Sequence, residues 1–195
     1  SYTPSATGGN VTLYARCSAN KYNISYSWNN GMHGYGAPAS ATYDSVVKIG
    51  NPTKTVTITG NVNGTGATVG SATSKAQTFA GWTASNINTS TAYYGTSESA
   101  VSTLWSNAST KVTATYFKNL NPTNNAKVKL EANWTPVAMK VPTLSKTGYA
   151  CTWNTASDGS GTTYNSGASY TPSATGGNVT LYARCSANKY NISYS

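Results

Sequence analysis

SYTPSATGGNVTLYARCSANKYNISYS fills residues 1–27, and the same 27 letters return at residues 169–195, so the chain repeats with a period of 168 residues. Identity over that length means a natural tandem array or a deliberate overlap of the ends; the array is the expectation adopted, and in it each unit needs its neighbours to finish a core. Within the quoted stretch Val11, Leu13, Ala15 and Cys17 fall on one side of an extended chain, and Thr12, Tyr14 and Arg16 fall on the other. That is the period of two that marks a half-buried strand. Three residues later Tyr22, Ile24, Tyr26 and Trp28 alternate with Asn23, Ser25 and Ser27. One strand therefore closes a unit and, across Ser18-Ala19-Asn20, the next strand opens another.

Farther along the chain, Val128, Leu130, Ala132 and Trp134 repeat the closing pattern, with Lys127, Lys129, Glu131 and Asn133 facing away. Val112, Ala114 and Tyr116 alternate with Thr113, Thr115 and Phe117. Gly31–Gly36, Gly60–Gly70 and Asp158–Gly161 carry turn chemistry. Only Ser97–Ser106 reads as a short helix, with Glu98 near its positive end. The expected fold is mostly β, α+β at most, built of antiparallel strands with long loops. The expected organisation is a closing strand of a preceding repeat (1–20), a long unit with polar insertions at 60–74 and 89–111 (21–135), a short unit (136–188), and the opening strand of the next repeat (189–195).

Several short motifs resemble one family. Tyr22–Trp28 followed by a Gly-rich turn, Gly36-Ala37-Pro38-Ala39-Ser40, a Tyr-Asp strand, the Gly81-Trp82 element and the Leu-Tyr-Ala-Arg-Cys ending are similar to the Listeria-Bacteroides repeat, the B-repeat of internalin B. The short unit, GYACTWNTASDGSGTTYNSGASYTPSATGGNVTLYARC, carries the likeness best. It departs where Cys151-Thr152-Trp153 replaces the family's Phe and Gly, and where Cys185 stands for the terminal Trp that Trp134 supplies in the long unit. The resemblance implies small β-grasp-like modules strung in tandem on a bacterial surface protein.

Composition narrows the function classes. The net charge is +9, from 11 Lys and 2 Arg against 4 acids, yet only 9% of residues are charged. The lysines are spread evenly rather than gathered with aromatics on one face, which argues against nucleic acid as a partner. No apolar run is long enough to span a membrane. A glycine-rich run at Gly31–Gly36 lacks the ending of a phosphate loop. The four acids, Asp44, Glu98, Glu131 and Asp158, are dispersed, and a single His33 gives no acid–base set, so the expectation is no enzyme, no cofactor and no metal site. Asp44 or Glu131 beside strand lysines is the one arrangement that would suit a Lys–Asn isopeptide crosslink.

Cys17 and Cys185 are one position seen twice, so a period holds two kinds of cysteine. A disulfide between Cys151 and Cys185 is expected, with buried free thiols as the alternative; a disulfide implies an oxidising compartment, outside the cell or at its surface. The chain is thus expected to be a piece of a longer extracellular bacterial protein, a stalk or fibre whose partners are neighbouring repeats, with assembly into filaments. The alternative is an adhesin module that binds a glycan or a host or microbial surface protein, with Tyr93, Tyr94 and Trp105 of the second insertion as ligand contacts.

Overall fold

The structure, a computed structural model, describes Thr3 and residues 8–194. The portions of the expected end segments that fall on residues 1, 2, 4–7 and 195 lie outside these. Strands take up 41% of the chain against 2% helix, so the fold is mostly β. In chain order they are β1 (Lys21–Ser27), β2 (Ser40–Thr42), β3 (Val46–Lys48), β4 (Thr55–Asn61), β5 (Thr68–Val69), β6 (Thr73–Ala76), β7 (Thr78–Ser85), β8 (Tyr93–Gly95) and β9 (Thr103–Leu104). They continue with β10 (Tyr116–Lys118), β11 (Lys127–Thr135), β12 (Met139–Lys140), β13 (Leu144–Ser145), β14 (Tyr149–Asn154), β15 (Thr163–Asn165), β16 (Ser169–Tyr170) and β17 (Val179–Ala187).

Two hydrophobic cores form. Core A lies under a sheet of order β2-β1-β11-β7 and a second of order β3-β10-β8-β9. Its buried set includes Tyr22, Ile24, Trp82, Trp105, Phe117, Val128, Leu130 and Trp134. Core B lies under a five-stranded sheet of order β15-β14-β17-β4-β6, with Val56, Ile58, Trp153 and Leu181 at its centre. The alternation predicted for β1, β11 and β17 sets their faces as expected, because a half-buried sheet admits only one parity.

The two modules share one plan. In A the opening strand β1 runs parallel to the closing strand β11, which pairs antiparallel with β7 so that Ala132 faces Trp82. In B the opening strand β4 runs parallel to the closing strand β17, which pairs antiparallel with β14 so that Ala183 faces Trp153. Two residues along, A places Phe79 against Trp134, edge to face at 5.7 Å, and B places Cys151 against Cys185 in a disulfide. Where one module packs two rings edge to face, the other forms a bond. The extra residue of β7 is absorbed at Gly81, whose φ of +113° and whose approach to Val112 O, 2.9 Å from where a Cβ would sit, exclude any side chain.

The chain does pass from one core to the other at the expected boundary, 135/136, but residues 21–135 do not form one contiguous unit. Residues 54–76, assigned by sequence to the long unit, form β4, β5 and β6, which pair with β17, β13 and each other. Val56 and Ile58 are buried in core B. The supposed polar insertion at 60–74 is the return arm of that module's opening hairpin. Three further expectations change. Ser97–Ser106 yields a single 3-10 turn, Glu98–Ala100, and then β9, since β-branched Val101 and Thr103 disfavour continuation and the helix would be too short to hold itself. A bend at Thr115 resets the parity of 112–118, so Phe117 is buried and Tyr116 only half-buried. Residues 10–17 form no strand although their twin is β17, and Leu13 is 76% exposed where Leu181 is 0% exposed. A lone extended segment has neither ladder nor face to bury.

Candidate functional site

Since module B begins inside module A, the chain passes between the cores three times, at 53/54, 76/77 and 135/136. Two buried polar residues tie these crossings together. Gln77 donates its main-chain N–H to Lys54 O at 2.8 Å, while its side-chain Oε1 accepts from Val137 N–H at 2.7 Å and Nε2 donates to Lys75 O at 2.9 Å. Lys54 is 3% exposed, and its Nζ donates to Asn29 O and Ala174 O, both at 2.9 Å, one carbonyl from each module. The ammonium also lies 5.8 Å from the Trp134 ring centroid. Asn30 adds a bond from Nδ2 to Thr175 O at 2.7 Å. Burial without a carboxylate pushes the Lys54 pKa below its ordinary value. The bonds of buried Gln77 and Lys54 favour one arrangement, because displacing either residue leaves its partners unbonded.

The disulfide lies at the exit of module B. Cys185 is two residues short of the end of β17, and its partner Cys151 is directly opposite on β14, closing a loop with a sequence separation of 34. On the chain-entropy model this contributes ~3–4 kcal/mol. Cys17, the twin of Cys185, is exposed and unbonded.

Beside β17 an open groove of about 440 Å³ is walled by Asn61, Asn63 and Thr65 on one side and by Tyr182 and Arg184 on the other. The walls come from segments about 120 residues apart, brought together by the β4–β17 pairing. Arg184 Nη2 donates to Ser157 O, which holds the guanidinium against the turn at Gly159. There a Cβ would stand 3.1–3.2 Å from the guanidinium atoms. Asp158 in the same turn is engaged by Ser160, whose main-chain and side-chain donors, more than Arg184, hold its carboxyl below the usual range.

The expected ligand contacts are differently placed. Trp105 is 1% exposed, its Nε1 donates to Thr110 O at 3.1 Å, and its ring packs on Tyr94 and Phe117, so it presents no face to a ligand. Tyr93 and Tyr94 are half-buried in β8, between β9 and β10. Asp44 accepts from Asn119 Nδ2 at 3.1 Å and stands 3.7 Å from Lys118, but those two partners are chain neighbours and would bridge nothing. Glu131 accepts from Asn29 Nδ2 at 3.0 Å, while the Lys54 amine sits on the main-chain carbonyl of Asn29. Among the described residues no group of three or more His, Cys, Asp or Glu side chains is gathered as a metal site would require, and no helix is long and apolar enough to cross a membrane. Sequence reasoning missed Lys54, Gln77 and the groove; the one signal for the groove was that a period contains a single Arg.

No protein-family model matches this chain, no curated protein matches it, and no solved structure matches it.

Proposed function

We propose that the chain is a load-bearing segment of a long extracellular tandem-repeat protein, a stalk or fibre with a 168-residue period. The observation that carries this reading is the interlock: the opening hairpin of module B lies in sequence between two segments of module A, so three chain crossings join the modules. Tension along an array enters at the start of β1 and leaves at the end of β17. In A it pulls β1 by its N-terminal end and β11 by its C-terminal end; in B it does the same to β4 and β17. Both pairs are parallel, over five and four residue pairs respectively. Parallel neighbours pulled from opposite ends are sheared, so their hydrogen bonds share the load instead of opening one after another.

The disulfide supports placement in an oxidising compartment, and low charge with Ser-, Thr- and Asn-rich outer faces suits an exposed, unbranched rod. The likeness of the Gly-Trp and Leu-Tyr-Ala elements to the internalin B repeat agrees with a bacterial cell-surface setting. The test is geometric. With handles at residues 21 and 187 the rupture force is expected to be several times that measured with handles at residues 21 and 127, where β1 and β11 peel from their shared end. Equal forces in the two geometries would remove the basis for a load-bearing role.

A further inference from the structure

Module B leaves open a place that module A fills. In A the β1–β11 pairing stops at Ser27 and Glu131, after which the chain folds back on the strand it has left. Asn29 Nδ2 donates to Ala132 O at 2.9 Å, and the Trp134 indole donates to Trp28 O at 3.0 Å. In B the corresponding pairing stops at Asn61 and Tyr182, and the chain turns away through a turn closed by Thr65 N–H on Val62 O at 3.0 Å. Asn63 stands where Asn29 stands in A, but it is exposed, and its main-chain N–H is spent on Asn61 Oδ1.

β17 nevertheless runs on five residues past Tyr182, to Ala187, where among the described residues it pairs with β14 alone. Asn188 N–H donates to Gly148 O at 2.9 Å, which fixes the alternation: the even-numbered residues of β17 bond to β14, while Ala183, Cys185 and Ala187 direct their main-chain groups to the other side. At ~3.3 Å per residue that edge is ~16 Å long. It borders the groove, and the groove carries the only arginine of a period.

We propose that this edge accepts an extended peptide strand bearing acidic side chains, which adds to the sheet of module B between β17 and the 61–65 turn. An added strand recruits an edge through its main-chain donors and acceptors, and the side chains that reach the walls supply selectivity. Arg184 is the selecting group. One of its nitrogens is fixed to Ser157 O, and although Asp158 is near enough to feel its charge, among the described residues no carboxylate lies within ion-pair distance, which leaves donors on a groove-lining guanidinium for an incoming one. A saccharide's hydroxyls could bond single main-chain groups of the edge, but only a peptide strand repeats donors and acceptors in the spacing of the whole row. The proposal does not depend on the load-bearing role, though an array would repeat the site every 168 residues and multiply weak binding.

The probes are the capped hexapeptide Thr-Glu-Val-Glu-Thr-Glu, its counterpart with every Glu replaced by Lys, and a hexamer of galacturonic acid. Binding is read by anisotropy, and amide hydrogen exchange is read at Ala183, Cys185 and Ala187. The acidic peptide is expected to bind saturably and slow exchange at those amides, and the basic peptide is expected to do neither. Arg184→Ala should weaken binding about tenfold, the worth of a charge-assisted bond. Arg184→Glu, shown folded by an intact disulfide and an unchanged Tm, should reverse the preference toward the basic peptide. The proposal is overturned if saturating acidic peptide leaves the three amides unprotected, if Arg184→Glu keeps the original preference, or if the uronic acid hexamer binds where the peptide does not.

Discussion

Reduction of the Cys151–Cys185 bridge should lengthen the unfolded chain by an amount set by the structure. Load leaving through Ala187 reaches Cys185 after two residues and passes through the sulfurs to Cys151, so the intervening segment is shielded from tension. The sequence separation is 34, and at ~3.3–3.6 Å per residue the hidden segment can extend ~110–120 Å. The bridged Cα atoms already span 4.1 Å, a negligible correction. Single-molecule pulling between residues 21 and 187, in a Cys17→Ser background to prevent pairing of the exposed thiol, should therefore show a contour-length gain ~110 Å greater with reductant than without. The same reduction should lower the unfolding free energy of module B by ~3–4 kcal/mol on the loop-entropy model. Equal contour lengths in the two conditions would refute the load path.

Other outcomes follow from burial and charge. Leu181→Ala should destabilise by ~2–5 kcal/mol, whereas Leu13→Ala, the same position in the twin segment, should stay within ~0.5 kcal/mol by urea unfolding. Trp105→Ala should cost ~3–5 kcal/mol of stability through a cavity in core A, visible as a lowered Tm. Lys54 has a folded pKa below its unfolded one, so the unfolded chain binds the extra proton between the two values and stability rises with pH across that window, up to the unfolded value of 10.5. The parent's unfolding free energy minus that of Lys54→Met should accordingly become more positive as pH rises toward 10.5. Titrations at Tyr22 and Tyr26, whose pKa values burial raises, are common to both chains and cancel; a pH-independent difference would mean that the Lys54 amine is not desolvated.

Much of the sheet was legible because alternation is local. Tyr22 and Ile24, Val128 and Leu130, and Leu181 and Ala183 declare their buried faces without reference to any partner. The cysteine pair was legible because the period shows Cys17 and Cys185 to be one position. What alternation cannot convey is which sheet a strand joins. Thr55-Val56-Thr57-Ile58 reads as a strand before a Gly-rich turn, as Tyr22–Trp28 does, yet its neighbour β17 lies about 120 residues on, and no local pattern encodes that choice. Likewise Trp105 in a polar stretch resembles an exposed platform until Tyr94 and Phe117 close around it. The groove is made of two strand ends that diverge, a feature absent from either segment taken alone.

Complementation tests the interlock most directly. A fragment of residues 136–188 with its disulfide formed lacks β4 and β6 and leaves one side of β17 bare. It should show no cooperative unfolding transition and no dispersed amide spectrum, and it should gain both when a peptide of residues 54–77 is added. Cooperative folding of 136–188 alone, indifferent to that peptide, would contradict the completion of module B by a hairpin that lies in sequence within module A.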